Sequence, residues 1–106
     1  MPTERPRRGP RFSFVATIQL TDTQSDAQIH ERTSDLSLYG CRVVTIKPFR
    51  SGAKVRTRIA HKYATFVALG KVSYNSPDGG MGIAFTQIEP ANQSVLEKWV
   101  EQLRSH

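Results

Sequence analysis

The sequence predicts an all-β domain: a six-stranded antiparallel β-barrel with a C-terminal α-helix and a flexible N-terminal arm. Three observations support this prediction. Apolar residues recur at every second position in short segments between residues 12 and 88, which is the period of half-buried strands. Turn-forming residues separate these segments, and only the last segment repeats at helical spacing. A closed barrel is favoured because short strands leave edges that closure removes.

The first three strands are predicted in the N-terminal half. Every second residue of FSFVATIQL, from Phe12 to Leu20, is apolar, and Val15 is the one valine that falls on the opposite, polar face. After a polar turn, weaker alternation in QIHERTSDLS, residues 28–37, predicts the second strand. The third strand is predicted at GCRVVTI, residues 40–46.

The remaining strands follow the same period. In AKVRTRIA, residues 53–60, basic residues alternate with apolar or hydroxyl residues, so we expect the basic face in water. YATFVALGKVSYN predicts a longer fifth strand, with Gly70 as a bulge or bend. SPDGG predicts a turn in which Gly79 or Gly80 has a positive φ. MGIAFTQI, residues 81–88, completes the sixth strand.

The chain ends in one amphipathic helix, predicted at about residues 90–104. Pro90 is suited to its first turn, and apolar residues recur at helical spacing at Val95, Leu96, Trp99, Val100 and Leu103. We expect this stripe to pack on the barrel, and the alternative is that it binds a partner. The predicted organisation is therefore an arm at residues 1–11 and a barrel with its helix at residues 12–106.

Length and charge limit the class of protein. The chain has 106 residues and a formal net charge of +6, which suits a single domain that attracts anions. Its one cysteine, Cys41, cannot form an internal disulfide, and we expect it in the core. No apolar run is long enough to span a bilayer, and no secretory leader is visible. We therefore expect a single-domain, soluble, cytoplasmic protein.

The sequence contains no pattern typical of an enzyme. His30, His61 and His106 are far apart and lack a supporting motif for acid–base chemistry. No ligand set has the spacing of a metal site, and GGMG, residues 79–82, falls in a predicted hairpin rather than in a phosphate-binding loop. We expect no catalytic activity, no metal and no cofactor.

Two short stretches invite a functional interpretation. RPRRGPR, residues 5–11, holds four arginines, and DLSLYG, residues 35–40, combines a carboxylate, a hydroxyl and a glycine. On an extended segment Asp35 and Ser37 point the same way. The structural alternatives are a solvated tail for the first stretch and an ordinary turn for the second.

These stretches resemble the two motifs of the PilZ domain family. RRGPR is similar to R-x-x-x-R through Arg7 and Arg11, and DLSLYG is similar to [D/N]-x-S-x-x-G through Asp35, Ser37 and Gly40. The resemblance covers nearly the whole chain, because the arm, the strands and the final helix occur in the same order. PilZ domains are bacterial receptors for cyclic di-GMP. The resemblance therefore implies this ligand and a PilZ-like barrel.

The residue chemistry agrees with that ligand, which has two phosphates and two guanines. Arg7 and Arg11 match the family's ligand-binding arginines, and we expect them to contact guanine edges and phosphates, with Arg8 stacked on a base. Asp35 can accept hydrogen bonds from guanine N1–H and N2–H₂. We expect Ser37 to bond the ligand or orient an arginine, and Gly40 to allow close approach of the backbone.

Proline and glycine in the arm oppose helix and sheet, so we expect ligand binding to order residues 1–11 over the barrel. The ordered surface would then be recognised by a downstream protein partner.

Two alternatives remain open at this point. A basic barrel can bind single-stranded nucleic acid through a charged groove and stacked aromatic rings. The candidate groups are Lys54, Arg56, Arg58, Lys62, Lys71, Tyr63, Phe66 and Tyr74. We expect no nucleic-acid binding, because that function needs neither the Asp35 carboxylate nor the Ser37 hydroxyl. The other alternative is a PilZ module that acts through protein contacts alone.

Overall fold

The structure is a computed structural model that describes residues 10–77 and 79–105. Most of the predicted arm, residues 1–9, lies outside the described residues, as does His106. The described part contains seven strands and one helix. They are β1 (Phe12–Ser13), β2 (Thr17–Asp22), β3 (Gln28–Leu36), β4 (Gly40–Val44), β5 (Lys54–His61), β6 (Ala64–Ser76), β7 (Gly80–Gln87) and α1 (Pro90–Arg104).

Six of these strands close into an antiparallel barrel. The order is β3-β2-β5-β6-β7-β4, and an additional pairing of β4 with β3 closes the ring. The short strand β1 pairs with the end of β3 beyond the part that β2 covers. The predicted six-stranded antiparallel barrel with a C-terminal helix is confirmed, with β1 as one extra strand.

The first predicted strand is divided in two because a threonine side chain interrupts its ladder. The hydroxyl of Thr33 on β3 accepts a hydrogen bond from the amide of Ala16 at 3.0 Å and donates one to the carbonyl of Phe14. Between them, Val15 is 63% exposed. The apolar face predicted from Phe12 to Leu20 still points inward, so the division changes the strand bounds and not the burial.

A β-bulge explains the weak alternation predicted for the second strand. Thr33 pairs with Val43 on β4, but Asp35 pairs with Arg42, so the register shifts by one residue at Ser34. The bulge reverses the side-chain alternation. Thr33 and Leu36 are consequently both buried although they are three positions apart, and Asp35 faces the outside of the barrel.

The other predicted local features agree with the structure. On β5, Val55, Thr57 and Ile59 are buried while the basic residues between them are exposed. The register between β6 and β7 shifts at Gly70. Gly79 has a φ of +97°, and its amide donates to the carbonyl of Ser76 at 3.1 Å.

The helix α1 packs its apolar stripe against the barrel, on β6 and β1. Leu96, Trp99 and Val100 are buried. The indole ring of Trp99 lies 5.4 Å from the ring of Phe14 and 5.6 Å from the imidazole of His61. The expectation that the stripe packs on its own core is therefore confirmed. In the described part of the chain, no helix has the length and apolar character needed to cross a membrane.

Candidate ligand-binding site

Strand pairing brings two of the predicted site residues together. Asp35 is the penultimate residue of β3, and its backbone partner on β1 is Ser13. Because β1 begins directly after Arg11, this pairing places the arginine beside the carboxylate. A guanidinium nitrogen of Arg11, Nη1, lies 2.8 Å from Oδ1 of Asp35. The two motifs thus meet at one end of the barrel, although 24 positions separate these residues.

The ion pair lies at the surface and retains unused acceptor capacity. The side chain of Arg11 is 42% exposed and that of Asp35 is 24% exposed. The second carboxylate oxygen, Oδ2, accepts a hydrogen bond from the hydroxyl of Ser34 at 3.2 Å. Each carboxylate oxygen can accept two hydrogen bonds. Both oxygens of Asp35 can therefore still accept hydrogen bonds from a ligand.

Ser37 does not present its hydroxyl next to the Asp35 carboxylate, contrary to the geometry expected from an extended segment. The strand ends at Leu36, so alternation no longer relates the two side chains. Ser37 is 3% exposed, and its Oγ accepts from the amide of Tyr39 at 3.0 Å and donates to the carbonyl of Gly40 at 3.4 Å. In this structure Ser37 shapes the turn between β3 and β4.

Gly40 lacks a side chain for a reason internal to the barrel. It begins β4 and pairs with Ala84 of β7. A Cβ at this position would clash with the backbone carbonyl oxygen of Ile83. Close packing of β4 on β7 is therefore sufficient to explain the glycine, whether or not a ligand approaches it.

Cys41 lies beneath the site, in the core as predicted. It is 1% exposed. Burial raises the pKa of its thiol to about 12, with a further increase from the negative charge of Asp35 and an opposing effect from Arg11. The thiol is therefore protonated at neutral pH.

The outer face of β4, β7 and β6 adds residues that sequence reasoning did not assign to the site. Arg42 is the cross-strand partner of Asp35. Its guanidinium lies over Gly80, and the ring of Tyr74 lies over Gly82, because a Cβ on either glycine would meet these side chains. In the sequence, the signal for this surface was the spacing of Gly80 and Gly82 in GGMG.

The other candidates are distributed as follows. Arg7 and Arg8 lie outside the described residues. Phe66 is completely buried, because it lies on the inner face of β6 with Ala68 and Val72. Its assignment as a stacking ring for nucleic acid was wrong. Tyr63 and Tyr74 are exposed. Among residues 10–77 and 79–105, no three His, Cys, Asp or Glu side chains come together as a metal site.

Comparisons with known proteins identify the fold and the family. The model of the PilZ domain matches residues 5–102, which is most of the chain. A comparison with curated protein sequences found no match.

Three solved structures share the fold. The PilZ domain of YcgR from Escherichia coli, solved with c-di-GMP, is 18% identical with a TM-score of 0.76, covering 95% of this chain and 93% of that one. The PilZ domain of CeSA from a cellulose-synthesizing bacterium is 14% identical with a TM-score of 0.74, covering 91% and 99%. The Bacillus subtilis inhibitor of motility, MotI/DgrA, is 19% identical with a TM-score of 0.75. The match covers 95% of this chain, which spans only 52% of the B. subtilis chain.

Proposed function

The chain belongs to the PilZ domain family, and from that premise we propose that it is a cytoplasmic receptor for cyclic di-GMP. One observation carries the proposal: the second arginine of RRGPR and the aspartate of DLSLYG form a surface ion pair, Arg11 Nη1 to Asp35 Oδ1, at 2.8 Å. Neither residue is needed for the core. Their pairing assembles a cation and an acceptor at a point where an anionic, guanine-containing ligand can reach both.

Guanine recognition follows from the acceptors that remain on Asp35. The carboxylate can accept from N1–H and N2–H₂ of guanine, a donor pair that adenine lacks. The planar guanidinium of Arg11 can donate two parallel hydrogen bonds to guanine O6 and N7 or to a phosphate. The ligand would share or replace the existing ion pair, and a lysine at position 11 could not reproduce the two-pronged contact.

The surface beside the ion pair suits a flat ring. Gly80 and Gly82 lack side chains on the outer face of β7, and Arg42 and Tyr74 lie across them. Tyr74 is 38% exposed. We propose that this surface supports one guanine, stacked on the tyrosine ring or on the Arg42 guanidinium.

Arg7 and Arg8 complete the proposed site, with Arg7 on a guanine edge or a phosphate and Arg8 stacked on a base. We further propose that ligand binding orders residues 1–11 over the barrel, and that a downstream protein recognises the ordered arm. Coupled ordering costs about 2–5 kcal/mol of the gross interaction energy. Ser37 contributes indirectly, by holding the turn that places Asp35, and Gly40 contributes by fixing β4 against β7.

Isothermal titration with cyclic di-GMP tests the receptor function, with GTP as the ligand control. We expect micromolar or tighter binding that is lost in Arg11→Ala and in Asp35→Ala. The matched control is Arg50→Ala, an exposed arginine away from the two motifs, which should bind like the wild type.

Titration with an oligothymidylate separates the rival functions. Nucleic-acid binding would be unaffected or strengthened by Asp35→Ala, because removal of a carboxylate reduces repulsion of phosphate. Absence of binding to either ligand would favour a PilZ module that acts through protein contacts alone.

A further inference from the structure

A second charged surface lies far from the proposed nucleotide site. It is a depression of about 370 Å³ on the outer face of β2, β3, β5 and β6. Around the six-stranded ring, β5 is three strands away from β4 in either direction. We call this surface the β5 groove, and its central residues are Arg56 and Arg58.

The cations of the β5 groove are uncompensated. Arg56 and Arg58 are exposed, and the described residues provide neither of them with an ion pair or hydrogen-bond partner. Asp26 also lines the depression but forms no salt bridge there within the described chain. Gln19 and Gln28 supply neutral polar groups. The lining of the groove therefore carries a net positive charge and can hydrogen-bond, which favours an anionic occupant.

Aliphatic side chains lie in the groove and beside it. Across the β5–β6 ladder, Arg58 pairs with Val67 and Arg56 pairs with Leu69. Leu69 is 38% exposed. A smaller depression of about 100 Å³ adjoins the first one and shares Arg56 and Val67 with it. Each of the two cations therefore lies beside an aliphatic residue, and one carboxylate, that of Glu89, also lines the smaller depression.

We propose that the β5 groove binds an extended acidic segment of a partner protein with a carboxylate at every second position. Arg56 and Arg58 are two positions apart on a strand, so their side chains are about 6.6 Å apart along it. That distance matches every second residue of an extended peptide. Neither depression is lined by an aromatic ring on which a base could stack, which favours a peptide over nucleic acid. The proposal does not depend on cyclic di-GMP binding.

The test uses the whole chain and a fluorescein-labelled peptide of about ten residues, long enough to span roughly 33 Å when extended. Its sequence alternates glutamate with valine, and the comparison probes are the same peptide with glutamine in place of glutamate, and an oligothymidylate. Fluorescence anisotropy gives the affinities, and ¹⁵N-resolved chemical-shift changes locate the binding surface.

We expect the glutamate peptide to bind with shift changes centred on Arg56, Arg58 and Val67, and the glutamine peptide to bind at least about tenfold more weakly. The double variant Arg56→Gln/Arg58→Gln should weaken binding of the glutamate peptide by about tenfold, equivalent to about 1.4 kcal/mol. The matched control is Lys47→Gln/Lys98→Gln, which removes the same charge from exposed positions outside both depressions.

Three results would overturn the proposal. They are an equal loss of affinity in the control double variant, shift changes that map elsewhere, or tighter binding of the oligothymidylate than of the glutamate peptide. Circular dichroism of both double variants distinguishes loss of the groove from loss of the fold.

Discussion

The guanidinium of Arg11 and the carboxylate of Asp35 form an ion pair of 2.8 Å across the junction of β1 and β3. Both side chains are partly exposed, and surface ion pairs of this kind stabilise a fold by less than about 1 kcal/mol. The pair therefore contributes little to the free energy of unfolding, although it determines the charge of this part of the surface. The effects of mutations here on binding can consequently be separated from their effects on folding.

Arg11→Lys should separate charge from geometry. We expect cyclic di-GMP affinity to decrease by about tenfold or more, because an ammonium group cannot donate two parallel bonds to guanine or phosphate. The free energy of unfolding should change by less than about 1 kcal/mol. Isothermal titration and urea denaturation measure the two quantities. Wild-type affinity in this variant would contradict the two-pronged contact, and Arg50→Lys serves as the control.

The arm should become protected when ligand binds. We expect amide hydrogen exchange in residues 1–11 to slow at saturating cyclic di-GMP, since these amides would be covered by nucleotide and barrel. Residues of α1 provide the internal reference. Unchanged exchange in the arm, with ligand bound, would rule out the proposed ordering while leaving the receptor function intact.

Gly40→Ala should destabilise the barrel by about 1–3 kcal/mol, the typical cost of overpacking. The added methyl group would meet the backbone carbonyl of Ile83, which cannot move without disturbing β7. Gly82→Ala should cost less, because the obstruction there is the ring of Tyr74, a side chain that can rotate away. Urea denaturation of both variants tests the order, and a larger loss in Gly82→Ala would refute this account of Gly40.

Cys41 should resist thiol reagents in the folded protein. Burial raises the pKa of its thiol to about 12, so the reactive thiolate is scarce, and the sulfur is inaccessible. We expect labelling by a disulfide reagent at neutral pH to proceed only through opening of the barrel, and to slow further with bound ligand. If Cys41 in the folded protein were labelled as fast as in urea, the prediction would be wrong, because the barrel around the thiol would have to open freely.

Stability should decrease as the pH falls through the ordinary histidine pKa of 6.5, in part because of His61. Burial, and to a lesser extent the charge of Lys62, lower the pKa of His61 in the folded protein. The unfolded chain therefore takes up a proton first, which favours unfolding until the folded-state pKa is passed.

His61→Phe keeps an aromatic ring in contact with both Phe14 and Trp99 and should reduce this pH dependence. Urea denaturation at a series of pH values gives both slopes, and equal slopes for His61→Phe and wild type would exclude His61 as the cause.

Alternation was sufficient to predict the strands that have one buried face. On β5 the buried set of Val55, Thr57 and Ile59 follows directly from the period of two. The division at Val15 and the bulge at Ser34 could not be predicted in the same way. The division depends on the hydroxyl of Thr33, and the bulge depends on the simultaneous pairing of β3 with several other strands. No single segment of the sequence contains this information.

The candidate site was predictable only in outline. The motifs brought Arg11 and Asp35 into consideration together, but the orientation of Ser37 depended on where β3 ends. Arg42 and Tyr74 were missed because their importance comes from the glycines opposite them on β7. Such cross-strand relationships follow from register, which local sequence does not specify.

The contact between Phe14 and Trp99 gives the chain an intrinsic optical reporter. Trp99 is its single tryptophan, and the ring of Phe14, three residues after Arg11, lies 5.4 Å from the indole. A shift of the backbone at the base of the arm would alter the surroundings of that fluorophore. Emission from the unlabelled protein can therefore follow events at Arg11 in real time, including those too fast for calorimetry.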